Sequence, residues 1–94
     1  MDASMTAPDH YKLPFDPRFN APEGAVIEYL GMAMWRYVDP LTKVETRFAD
    51  WQANSSARDA GGMKGTHWKV AGVTADETNP WGGFLVTLEA AELG

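Results

Sequence analysis

The chain has 94 residues, no cysteine and a formal net charge of −5, with 45% of its residues apolar. One domain with a single modest core is what such a length supports, and the lack of cysteine removes disulfides, thiolate nucleophiles and cysteine-ligated metals together. The acidic balance argues against nucleic acid, which requires clustered Lys and Arg. No apolar run approaches the roughly 20 residues of a membrane span, and "MDASMTAPDH" has neither the basic region nor the apolar stretch of a signal peptide. A cytoplasmic protein or a virion component is expected. Residues 1–69 hold nine acids and eight bases, whereas residues 70–94 hold Asp76, Glu77, Glu89 and Glu92 and no base. The C-terminal quarter is thus a solvated acidic end or a surface suited to a basic partner.

Residues 1–22 contain Pro8, Pro14, Pro17 and Pro22. Each fixes φ and pushes its predecessor to extended geometry, so no helix runs here. Tyr11, Leu13 and Phe15 alternate with other residues and Phe19 follows. The segment reads as an extended proline-rich arm with an apolar side. Burying those anchors competes with backbone ordering at similar magnitude, so the arm is expected to order only when it adds to a strand edge, most naturally that of another chain.

Residues 23–94 form the expected domain. "AVIEYLGMAMWRYV", residues 25–38, is almost wholly apolar, and "NAPE" ahead of it offers a weak helix cap with Asn20 and Glu23. A helix over 21–38 packed on a three-stranded sheet is therefore the alternative architecture. Gly24, Gly31 and the aromatic and β-branched content favour strand. In "WRYVDPLTKVETRF", Asp39 and Pro40 occupy the positions a type I turn prefers. With Pro40 to Lys43 as the loop, Tyr37 opposes Thr46 and Trp35 opposes Phe48. One face is then apolar (Ala33, Trp35, Tyr37, Val44, Thr46, Phe48) and the other carries Arg36, Glu45 and Arg47. A one-residue slip mixes the faces and moves β-branched Thr42 toward the left-handed region.

Asp50 is placed to cap a short helix ending at Gly61 or Gly62. "THWKVAGVT" and "FLVTLEA" read as strands joined by the long loop "ADETNPWGG". The predicted fold is mainly β: a small antiparallel sheet of two hairpins, about 26–49 and 66–90, with one short helix and the N-terminal arm.

No motif specifies chemistry. "AGGMKGTHWK" has lysine before glycine and a strand pattern after it, whereas a phosphate loop needs Gly-Lys-Ser/Thr followed by a helix. His10 and His67 are far apart in sequence, and Ser4, Ser55 and Ser56 lack a nucleophile-elbow context. No catalytic residue, metal or cofactor is assigned. Four tryptophans stand out. Trp35 and Trp68 fit the core, Trp51 fits core or surface, and Trp81, in "NPWGG", is either a lid folded over the core or an exposed contact. The expected function is non-enzymatic: an interaction or assembly protein, such as a small virion component or a phage-type inhibitor. It would bind other protein chains, its own copies included, through Tyr11, Leu13, Phe15, Phe19, Trp81, Asp76 and Glu77. A small-ligand or carbohydrate-binding module using exposed tryptophan is the alternative, and an accessory subunit of an enzyme the third reading.

Overall fold

The computed structural model describes residues 10–52 and 66–91. Within them lie six strands: β1 (His10–Phe15), β2 (Val26–Gly31), β3 (Met34–Val38), β4 (Glu45–Ala49), β5 (His67–Ala75) and β6 (Phe84–Ala90). They form one antiparallel sheet in the order β1-β6-β5-β2-β3-β4. The outer strands of that order then meet. Phe15 bridges Asp50, the Asp16 amide donates to the Ala49 carbonyl at 3.0 Å, and the Trp51 amide donates to the Pro14 carbonyl at 2.8 Å. The sheet thereby curls into a barrel that is zipped at one end of the β1–β4 seam. All six strands contribute to one interior cluster: Leu13 and Phe15, Ile27 and Tyr29, Trp35 and Tyr37, Phe48, Trp68 and Val70, Val86 and Leu88. Phe19 and Ala21, between β1 and β2, complete it.

The β3–β4 hairpin has the register its sequence dictates, with Trp35 opposite Phe48 and Tyr37 opposite Thr46. Trp35 and Phe48 are fully buried, because the alternation that sends them inward sends Arg36 and Arg47 outward. At the turn, the Asp39 carboxylate accepts the Leu41 and Thr42 amides at 2.8 and 3.1 Å. Lys43 takes the left-handed conformation at φ 65°, which spares Thr42. The opposed Arg36 and Arg47 are offset by Glu45, which meets both, and by Glu28 of β2, 2.5 Å from Arg36.

Three expectations change. Residues 21–38 are not a helix, and 26–38 is not a single strand. Gly31, Met32 and Ala33 all have positive φ, and they fold β2 back onto β3. The Tyr29 hydroxyl accepts the Ala33 amide at 3.0 Å and holds this turn. The proline-rich arm, in turn, is not an appendage to residues 23–94. Its residues from His10 to Phe15 pair along their whole length with β6, from His10–Glu89 to Phe15–Phe84. Its partner edge belongs to its own chain. Pro14 is tolerated because residues alternate sides along β1, and its missing amide falls on the side away from β6. The short helix expected between Asp50 and Gly62 lies mostly on residues 53–65, outside the described residues, and no helix occurs among those described.

Candidate partner-binding surface

The residues singled out as partner contacts separate into two groups. Leu13, Phe15 and Phe19 are in the core, at 2%, 0% and 5% exposure. Phe15 lies 5.1 Å from Phe19, 5.3 Å from Trp35 and 5.4 Å from Phe48 between ring centroids, and Phe19 also meets Phe48 and Phe84. Tyr11 is half-buried and packs edge-on against Trp68 at 5.1 Å. These anchors serve their own barrel, which corrects the expectation that they reach to another chain. Asp76 is buried as well and works inside its loop.

Trp81, by contrast, is 79% exposed and Glu77 is exposed beside it. The loop that carries them, residues 76–83, joins β5 to β6 and is tied down at several points. Asp76 Oδ1 accepts the Thr78 amide at 3.2 Å and the Thr78 hydroxyl at 2.7 Å. The Asp76 amide donates to the Gly83 carbonyl at 3.0 Å and closes the loop at its base. Asn79 Oδ1 accepts the Trp81 amide at 2.9 Å, and the Asn79 carbonyl accepts the Gly82 amide at 3.0 Å. Gly82 and Gly83 follow with φ of 83° and 99°. A side chain at Gly83 would collide with the Phe15 carbonyl, and the Trp51 ring lies beside the same position. Gly82 faces Pro17. The loop is thus docked on the end of β1 and on Trp51, which is itself 40% exposed. Trp81 does not fold back as a lid. It stands out from a hydrogen-bonded platform whose next two residues, Gly82 and Gly83, rest against Pro17 and Trp51.

The platform rests on the seam between β1 and β4, which two buried aspartates organise. Asp50 Oδ2 accepts the Trp35 indole N–H at 2.7 Å in the interior, and Oδ1 accepts the Gln52 amide at 3.1 Å. Asp16 accepts the Arg18 amide at 2.8 Å, the Ala49 amide at 2.8 Å and the Arg18 guanidinium at 2.6 Å. Burial pushes the Asp16 carboxyl up, but these hydrogen bonds and the guanidinium charge outweigh it and hold the group below the usual carboxylate range. Both aspartates serve closure of the barrel: Asp16 ties β1 to Ala49 of β4, and Asp50 ties the end of β4 to Trp35 and to Phe15.

His10 lies at the start of β1, 3.8 Å from Glu89 across the strand pair, and His67 begins β5 with β6 between them. Among the described residues no three His, Asp or Glu side chains group as metal ligands. The serines and the glycines of "AGGMKG" lie outside the described residues, but the segment after them is β5, a strand. A second exposed apolar region, which sequence reasoning did not single out, lies at the β3–β4 hairpin tip. Leu41 is 90% and Val44 60% exposed there, next to a shallow cavity of about 350 Å³ lined by Gly24, Ala25, Val26, Tyr37, Val38 and Pro40. In the sequence Leu41 lies inside the loop of residues 40–43, and Val44 falls on the apolar face by alternation but sits at the end of the hairpin, where no other described strand covers it. The chain matches no family model, no curated protein and no solved structure.

Proposed function

We propose that this chain is a non-enzymatic interaction protein that binds another protein through the loop bearing Trp81. The observation that carries the reading is that loop's combination of exposure and rigidity. An indole left 79% in water has gained little from folding, yet its own amide is fixed by Asn79 and the two residues after it adopt glycine-only backbone against Phe15 and Pro17. Such pre-set aromatics bind at low entropic cost, and buried tryptophans dominate interface energetics. Glu77 beside it adds a negative rim, in keeping with the excess of acids over bases in this part of the chain, and favours a partner surface with basic residues around an apolar pocket.

The test immobilises the full chain, recovers bound protein from an extract of the source cells, and repeats this with Trp81→Ala and with Leu41→Ala. A protein retained by the original and by Leu41→Ala but lost from Trp81→Ala supports the reading. Retention by the original and by both variants overturns it. Quenching of the Trp81 emission on titration with oligosaccharides, with no protein retained, would favour the carbohydrate-binding reading instead.

A further inference from the structure

Among the described residues, part of the outer edge of β4 is left open. Along a strand the backbone groups of successive residues point to alternate sides. The Val44 carbonyl accepts the Asp39 amide across the hairpin, so Val44, Thr46 and Phe48 turn their backbone toward β3. The amide and carbonyl of Ala49 bond to Asp16 on the opposite side. The same alternation puts the N–H and C=O of Glu45 and Arg47 on that outer side. Beyond Asp16 the Phe19 amide donates back to the Asp16 carbonyl and Phe19 enters the core, while Asn20 reaches only the side chain of Thr46, its Nδ2 donating to Thr46 Oγ1 at 3.2 Å. Among the described residues no backbone group pairs with Glu45 or Arg47 on this side. The Arg47 side chain is 59% and the Glu45 side chain 36% exposed.

We propose that this edge pairs with itself: two copies of the chain join β4 to β4, antiparallel, about a two-fold axis through Thr46. The register follows from charge. With the axis at Thr46, Glu45 of each copy lies opposite Arg47 of the other. Both residues direct their backbone outward, so each pair exchanges two hydrogen bonds, and the opposite charges sit side by side at a Cα separation of about 5.5 Å. An axis at Arg47 would oppose Arg47 to itself and ask Ala49 for groups that Asp16 already holds. An axis at Glu45 would oppose Glu45 to itself and Arg47 to Lys43. A shift by one residue faces outward groups against inward ones and forms no ladder. Charged residues on an edge ordinarily deter pairing. Here their order, Glu-Thr-Arg, is self-complementary, as an isologous interface requires. Arg47 also lies opposite Arg36 within its own sheet, so a second carboxylate on its other side relieves a like-charge neighbour. This surface is separate from the tryptophan loop and does not depend on what that loop binds.

Sedimentation equilibrium of the full chain from micromolar to millimolar concentration tests the proposal, together with a single cysteine at the axis. The chain contains no cysteine, so Thr46→Cys bonds only to its counterpart. Residues facing each other without mutual hydrogen bonds stand about 4.5 Å apart at Cα, within the roughly 4.4–6.8 Å a disulfide spans. The expected results are a reversible dimer and rapid cross-linking of Thr46→Cys but not of Thr78→Cys. Glu45→Arg and Arg47→Glu should each weaken the dimer about tenfold or more, and the combined exchange should restore it. Circular dichroism confirms that the variants fold. A monomer at millimolar concentration overturns the proposal. So does a dimer indifferent to both charge reversals, or cross-linking equal at residues 46 and 78.

Discussion

Phe15→Ala is the most direct test of the barrel. Phe15 is fully buried, faces the rings of Phe19, Trp35 and Phe48, and sits where β1 meets both β6 and Asp50. Losing its side chain forfeits about 2–3 kcal/mol of transfer free energy. The void of roughly 100 Å³, at about 24 cal/mol per Å³ when the surroundings do not collapse, adds about 2 kcal/mol more. The rings around it are held by their own strands, so little collapse is expected and the total is about 4–5 kcal/mol. A domain of this size has about 5–14 kcal/mol of stability in all. Urea unfolding followed by tryptophan emission should show a midpoint lowered by about 2 M, at a slope of about 1–3 kcal/mol per M. A loss under about 1 kcal/mol would refute the placement of β1 in the core and revive the mobile arm. Leu41→Ala, at a side chain 90% exposed, is the control and should stay within about 0.5 kcal/mol.

Trp81→Ala should leave the melting temperature unchanged while weakening partner binding by about 2 kcal/mol or more, read by calorimetric titration once the partner is in hand. Gly83→Ala should cost more than Gly24→Ala in thermal unfolding: both have positive φ, but only at Gly83 does a β-carbon meet backbone, whereas Gly24 faces open space. The depressed pKa of Asp16 sets an acid limit. Its contribution is fully present above the unfolded value of about 3.9 and is lost as pH falls through the lower folded value. Asp16→Asn should therefore be less stable at neutral pH, and its stability should fall less than that of the original chain below about pH 4 in acid-unfolding curves.

The parts of the fold that alternate cleanly were legible. The Asp39-Pro40 turn and the inward run of Trp35, Tyr37 and Phe48 determined a hairpin register to the residue, and β5 and β6 carried their own period of two. The turn between β2 and β3 was not legible, because Met32 and Ala33 are poor left-handed residues and nothing in "LGMAM" beyond one glycine marks a reversal. Its support comes from the Tyr29 hydroxyl, a contact that exists only after folding. The role of β1 was hidden for a related reason. Its prolines argue for extended backbone, which is right, but whether an extended segment is an arm or a wall depends on which edge is vacant beside it, and β6 lies about seventy residues downstream. Of the interaction residues, the flanking Pro80, Gly82 and Gly83 marked Trp81 as a loop residue but suited a lid as well as an exposed contact, and burial of Asp76 follows from a loop closure that composition does not announce.

The placement of β6 between β1 and β5 has a kinetic consequence. On the ribosome β1 emerges before the other strands, and the ladder that will hold it is completed last. Until β6 emerges, Leu13 and Phe15 have only the short zip to Asp50 and no strand ladder to close against, so β2, β3 and β4 form an early meander while the first strand waits. Closure then hinges on an encounter between distant segments, the kind of step that slows folding to the millisecond-to-second range and leaves strand edges open meanwhile.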